Sequence, residues 1–179
     1  MSNSNFTMDL SFGKKWELVA QGHLGPNEVV TEVAPDGNFK DWDFKTNEAC
    51  YEVKSDRLAY KWGWKTMFIE YECSGKPSGV TTTKADFWYY FMVGRKEVQA
   101  WKIPIAKLKE AIPRYMRKVN GGDGGRSRGY ILDVTEFVDY KFEVKVDLTP
   151  TPTGTLFIKL PRSTSPDSVN NSPNLVGRV

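Results

Sequence analysis

A chain of 179 residues with 40% apolar and 26% charged side chains has the make-up of one globular domain, long enough to bury a core without disulfide staples. Its formal net charge of +3 excludes a blanket of basic charge, so any surface for an anionic partner has to be local. Two cysteines, Cys50 and Cys73, and a single histidine, His23, exclude a four-ligand zinc site without carboxylates and argue against hydrolytic chemistry that sets a His base beside His ligands.

Residues 1–8 are polar and read as a frayed end. Residues 9–24, DLSFGKKWELVAQGHL, read as a helix. Phe12, Trp16, Val19, Ala20 and Leu24 recur at three- and four-residue steps, Ser11 stands at the N-cap and Gly25-Pro26 stops the run. Glu17 lies in the middle of this helix, and His23 reads as a helix-end residue rather than a ligand. Residues 28–33 form an extended lead-in and PDGN at 35–38 a turn. Strands are expected at 39–46, 49–55 and 66–73, the last with clear alternation. Residues 74–79 read as a loop, and 81–86 as the start of a helical turn, because Thr83 and Asp86 have capping-box spacing. The run FWYYFMV at 87–93 suits a buried strand or a buried helix; a short helix followed by a strand is the expectation. A strand at 97–103 leads into a helix at 103–116, with Pro104 near its start, Ile105, Leu108 and Ile112 on one face, and Pro113 kinking or ending it. A glycine-rich loop spans 120–129, and 130–148 holds a further strand and a helical turn. From about 161 the chain is rich in Ser, Pro and Asn, so one domain over 1–160 and a disordered tail over 161–179 are expected.

The charges of the first hairpin carry the chemistry. A turn at Asn47-Glu48 sets Lys45 opposite Cys50, Asp43 opposite Glu52 and Asp41 opposite Lys54. Strand alternation then puts Asp41, Asp43, Glu52 and Lys54 on one face, and Trp42, Phe44, Tyr51 and Val53 on the other. Directly opposed carboxylates repel, and the conflict is relieved by raising a pKa or by binding a cation. Oxygen ligands with spare water positions suit Mg²⁺. Lys54 would stand beside such a water and stabilise charge growing on a phosphate. The plainer alternative is a solvated hairpin face, on which Lys54 pairs with Asp41 or Glu52 for under ~1 kcal/mol.

The order of a helix glutamate, a strand aspartate and a strand Glu-x-Lys, with Glu52 nine positions after Asp43, resembles the PD-(D/E)XK nuclease superfamily, which includes restriction enzymes and junction resolvases. The resemblance covers roughly 9–112, and the stretch 68–90 is similar to small phage-encoded members; Trp42 stands where a proline is frequent. It implies an α+β fold with a restriction-endonuclease-like αβββαβ core, a central mixed sheet flanked by helices. It implies catalytic roles for Glu17, Asp43, Glu52 and Lys54, with Asp43 and Glu52 holding Mg²⁺, for which Mn²⁺ can substitute. It further implies DNA as partner, phosphodiester hydrolysis of the endonuclease type, including junction resolution, and a homodimer where two strands are cut.

Around this set, Lys76, Ser78 and Lys84 fall in GKPSGVTTTK, where a helix N-terminus would attract backbone phosphate, a plain loop being the alternative. Arg57, Lys61 and Lys65 interleave with Trp62 and Trp64, as suits distorted or single-stranded DNA, although packing explains either tryptophan equally well. Glu70 and Glu72 share a strand face with Phe68, as extra ligands or as solvated charges. Unpaired thiols, no signal peptide and no membrane-length apolar run point to a cytoplasmic protein, of the host cell if phage-encoded, without a membrane partner. The rival to a nuclease is a non-catalytic DNA-binding or protein-interaction module on the same fold.

Overall fold

The computed structural model describes residues 3–35, 39, 41–115, 117–121, 125–144, 146–150 and 156–159. The tail expected over 161–179 lies outside the described residues. The chain opens with helix α1 (Asn3–Gln21), then strands β1 (Val30–Val33), β2 (Phe44–Thr46), β3 (Cys50–Asp56), β4 (Thr66–Cys73) and the short β5 (Lys76–Pro77). Strands β6 (Phe87–Val93) and β7 (Val98–Pro104) lead into helix α2 (Ile105–Ala111). Strands β8 (Lys118–Gly121), β9 (Ser127–Asp133) and β10 (Lys141–Phe142) follow, then a hairpin of β11 (Asp147–Pro150) and β12 (Leu156–Lys159).

A mixed six-stranded sheet, in the order β1-β2-β3-β6-β7-β10, forms the centre; β3 and β6 run parallel and every other neighbouring pair is antiparallel. A second, antiparallel sheet has the order β5-β4-β9-β8. The α+β class with a central mixed sheet therefore holds.

Strand β6 explains the layering. Residues 88–93 are buried, so this strand faces protein on both sides, as a near-continuous apolar run does. Tyr89, Phe91 and Val93 point to one side, where Trp16, Val19 and Ala20 of α1 pack on them with Phe44, Tyr51 and Val53. Trp88, Tyr90 and Met92 point to the other, against Met67, Ile69 and Leu132 of the second sheet and Leu108 and Ala111 of α2. Burial of each such large side chain contributes roughly 1.5–3 kcal/mol. The helix expected before this strand does not form. Two-sided burial of six consecutive residues favours an extended chain, and the segment ahead holds only a 3-10 turn at Gly79–Thr81. Thr83 and Asp86 do not make a capping box: Thr83 Oγ1 accepts from Ala85 N (3.2 Å), and the Asp86 carboxylate accepts from Cys50 N (2.8 Å).

Other differences concern ends and sheet membership. Helix α1 begins at Asn3, well before the expected cap at Ser11 and inside the stretch read as frayed. The third strand, β4, has the expected limits but belongs to the second sheet, and the path from β3 to the parallel β6 runs through β4 and β5. Helix α2 is shorter than the expected 103–116: β7 runs on to Pro104, and the helix ends at Ala111, two residues before Pro113, where the chain tightens into a 3-10 turn over Ile112–Arg114.

Candidate active site

The β2–β3 hairpin has the register read from the sequence as far as it goes: Lys45 pairs with Cys50 and Phe44 with Tyr51. Beyond Phe44 the ladder stops. Asp43 N donates to Tyr51 O (2.7 Å), one place out of register, and the Asp43 carboxylate takes the next ladder position by accepting from Val53 N (2.6 Å). A strand N–H lies in the sheet plane, so this carboxylate lies there too, at a gap where β2 has ended and β3 continues. Trp42 then crosses to the core cluster of Trp88 and Tyr90, away from Phe44. Asp41 does not face Lys54 as expected: its carboxylate accepts from Lys84 Nζ (2.7 Å) and its carbonyl from Lys84 N (2.7 Å) and Thr83 Oγ1 (3.1 Å).

Glu52 and Lys54 point to the side opposite Tyr51 and Val53, the side of Trp88. Glu52 is 6% exposed. Its Oε1 lies 2.5 Å from Lys54 Nζ and its Oε2 accepts from Thr83 Oγ1 (3.1 Å). The Lys54 ammonium sits 5.6 Å from the Trp88 ring centroid. Through the gap, α1 brings Glu17 and Lys14 into electrostatic range of Asp43, and the two are themselves paired at 2.9 Å. Glu52 and Lys54 are thus in direct contact, Asp43 lies within their electrostatic range, and Glu17 is within that of Asp43.

Burial pushes the Asp43 carboxyl above the ordinary range; Lys54 and the Val53 N–H oppose the shift, and Glu17 adds to it. Glu52 is also raised, first by burial, with Lys54 opposing and Asp43 adding. Burial works against the Lys54 ammonium, but Glu52, then Asp43 and Glu70, hold it protonated above its ordinary value. Two neighbouring carboxylates that resist ionisation, one of them paired with an ammonium, form a place where positive charge is stabilised.

Among the described residues, no group of three or more His, Cys, Asp and Glu side chains is arranged as a metal-ligand set. The donors at the gap nevertheless fit Mg²⁺, which binds through one or two carboxylates and keeps several waters. Asp43 and Glu52 would supply such a pair, with the Lys54 ammonium 2.5 Å from Glu52 Oε1.

The segment 78–86 straps this cluster. Ser78 Oγ donates to Glu70 Oε1 (2.7 Å), Thr83 reaches Glu52, Lys84 holds Asp41 and Asp86 holds Cys50 N. Gly79, with φ +52°, makes the turn; a Cβ there would meet Glu70 O at 2.4 Å. Of the residues read as DNA contacts, Ser78 and Lys84 therefore have carboxylate partners, that of Lys84 in an exposed pair. Arg57 lies 4.8 Å from the Phe12 ring centroid, and Lys61 and Lys76 are exposed. Trp64 packs against Gly94, where a Cβ would sit 2.7 Å from the indole. A bulge in β4 between Glu70 and Glu72 separates the pair expected on one face: Glu70 turns to Ser78 and Glu72 to Arg128 (3.3 Å). His23 takes its expected helix-end place, Nδ1 lying 2.8 Å from Val19 O.

Sequence reasoning missed Thr83 and Lys14. Thr83 was marked only as one end of a capping box, a local spacing that says nothing of a long-range partner such as Glu52. Lys14 stands three residues before Glu17, a spacing that puts both on one helix face and was open to view.

Comparison with protein-family models, with curated proteins and with solved structures finds no match to this chain. Among the described residues, no helix is long and apolar enough to cross a membrane.

Proposed function

We propose that this chain is a divalent-metal-dependent DNA nuclease of the endonuclease type, with Glu17, Asp43, Glu52 and Lys54 as its active site. The observation that carries the reading is the buried Glu52 carboxylate, paired with Lys54 at 2.5 Å, beside the half-buried Asp43 carboxylate at a gap in the central sheet. Buried like charges are costly, and such clusters belong more often to sites of chemistry than to scaffolds.

Asp43 and Glu52 would hold the cation, Mg²⁺ or Mn²⁺. When bound, that ion supplies a water of lowered pKa and neutralises charge on the phosphate. Lys54 positions its ammonium at the reacting phosphorus, where negative charge grows as water adds and one P–O bond breaks. Glu17, within range of Asp43, orders the remaining waters from the α1 side. Thr83 fixes the Glu52 carboxylate through its second oxygen. The Trp88 ring under Lys54 keeps bulk water from one side.

DNA is the partner on this reading, with a second copy of the chain where both strands are cut. A cleavage panel of supercoiled plasmid, linear duplex, single strand and four-way junction, each with Mg²⁺, Mn²⁺ and EDTA, tests it. Metal-dependent cutting of at least one form is expected. No cutting of any form, with DNA still bound, would leave the binding-module reading in its place.

A further inference from the structure

Between Arg114 and Tyr130 the sequence holds Arg114, Arg117, Lys118, Arg126 and Arg128 against a single acid, Asp123. These 17 residues carry a formal +4, so the rest of a chain of net +3 comes to −1. The local basic surface that the modest net charge calls for is therefore gathered on one short stretch, which folds as β8, β9 and the turn ahead of them.

The ladder fixes which side chains share a side. Lys118 pairs with Tyr130 and Asn120 with Arg128, so alternation sets all four on one face. Glu72 of β4 pairs with Arg128 from the other edge of β9, and its carboxylate lies 3.3 Å from the guanidinium. The Tyr71 ring lies 4.7 Å from that of Tyr130, and Lys118 Nζ stands 5.6 and 5.9 Å from the two ring centroids. Both tyrosines are half-buried against the core, whereas Lys118, Asn120 and Arg128 are exposed and form a rim along the edge strand β8. The opposite face is closed by Phe68, whose ring lies so near Gly121 and Gly129 that a Cβ would meet it at 2.8 and 2.5 Å. An ammonium held over rings and a guanidinium held by a carboxylate are already ordered, so less freedom is lost when an anion arrives.

The rim is joined to the candidate site. Ser78 N and Thr81 Oγ1 each donate to Tyr71 O at 3.0 Å, and Thr83 of the same strap holds Glu52. A surface seated in a membrane would also carry apolar side chains, yet among the described residues none of the exposed large apolar ones lies on β4, β8 or β9. We propose that this rim is a docking surface for DNA, with Lys118 and Arg128 on the phosphates of a duplex. The proposal rests on the reading of DNA as partner and names the surface that holds it, away from the residues that would cut.

The test is a fluorescence-anisotropy titration of a labelled DNA duplex with the full chain, over a series of salt concentrations, in EDTA so that binding is read without cutting. Wild type is expected to bind, more weakly as salt rises. Lys118→Gln and Arg128→Gln are each expected to lose about one unit of the slope of log Kd on log salt, and to bind roughly tenfold more weakly. Lys118→Arg keeps both, and so does Lys107→Gln, which removes an exposed cation of α2. Should Arg128→Gln unfold for want of a partner to Glu72, Lys118→Gln decides alone. The proposal is overturned by wild-type slope and affinity in the glutamine variants, by an equal loss in Lys107→Gln, or by a wild type that binds no duplex. It is overturned too if the variants keep DNA affinity and lose binding to vesicles of anionic lipid, which would make the rim a membrane surface. Cleavage with Mg²⁺ is scored apart. A wild type that binds through the rim and cuts nothing ends the nuclease reading alone, and one that cuts while the variants bind like wild type ends this proposal alone.

Discussion

Glu52 shows how one side chain can be costly to the fold and useful to a site. Its carboxyl is raised by burial, so the folded chain binds a proton there more readily than the unfolded chain does. The associated stability is present below the ordinary carboxylate pKa and is lost as pH rises through the raised value. Glu52→Gln keeps the shape and removes the charge, so in EDTA at neutral pH it should melt no lower than wild type. The difference between the two should shrink on mild acidification, as wild-type Glu52 takes up its proton. Thermal melts across that window check this; a gap that widens towards acid would refute it. Thr83 is the complementary case. Thr83→Val leaves Glu52 Oε2 without its hydroxyl donor, which costs about 1–3 kcal/mol where the acceptor stays buried and charged. Calorimetric titration with Mg²⁺ should show binding weakened by roughly tenfold or more, and restored in Thr83→Ser.

At the scale of elements, the gap and the strap decide the geometry. The register of β2 and β3 was legible because a short loop and period-2 alternation leave little choice. The end of the ladder at Asp43 was not, because it depends on a carboxylate replacing a backbone group, which no pattern announces. That substitution sends Trp42 to the opposite core and Asp41 to Lys84, and it opens the way for α1 to reach Asp43. The strap was misread for a related reason. Thr83 and Asp86 have the spacing of a capping box, yet long-range partners, Glu52 and Cys50, compete for them and win. Strand β6 was ambiguous because an unbroken apolar run lacks a period. Gly79→Ala tests the strap. A Cβ would meet Glu70 O at a backbone angle that alanine rarely adopts, so urea unfolding should show a loss on the order of 2–4 kcal/mol. Stabilisation by Mg²⁺ should fall with it. An alanine variant of wild-type stability would mean the strap is not fixed by this turn.

Over the whole molecule, a three-layer packing of α1, the central sheet, and the second sheet with α2 holds the gap open from both sides. In the hairpin, Trp42 is committed to one core and Phe44, Tyr51 and Val53 to the other, and Asp43, Glu52 and Lys54 lie among them as charged side chains. The class of fold could be read from the sequence, and strand alternation put Glu52 and Lys54 on one face, as they are. That Asp43 and Asp41 leave that face could not, because it rests on long-range partners, Val53 N and Lys84. The measurement that bears most directly on a metal-dependent nuclease site here is single-turnover DNA cleavage by wild type, Glu52→Ala and Lys54→Ala over a Mn²⁺ series. Wild type should cut. Lys54→Ala should be slower by about a hundredfold, on the order of 3 kcal/mol, at every metal concentration, because an ammonium is not a ligand. Glu52→Ala should be slow at low Mn²⁺ and partly rescued at high. Absence of cutting by wild type, or cutting by both variants at the wild-type rate, would contradict the assignment.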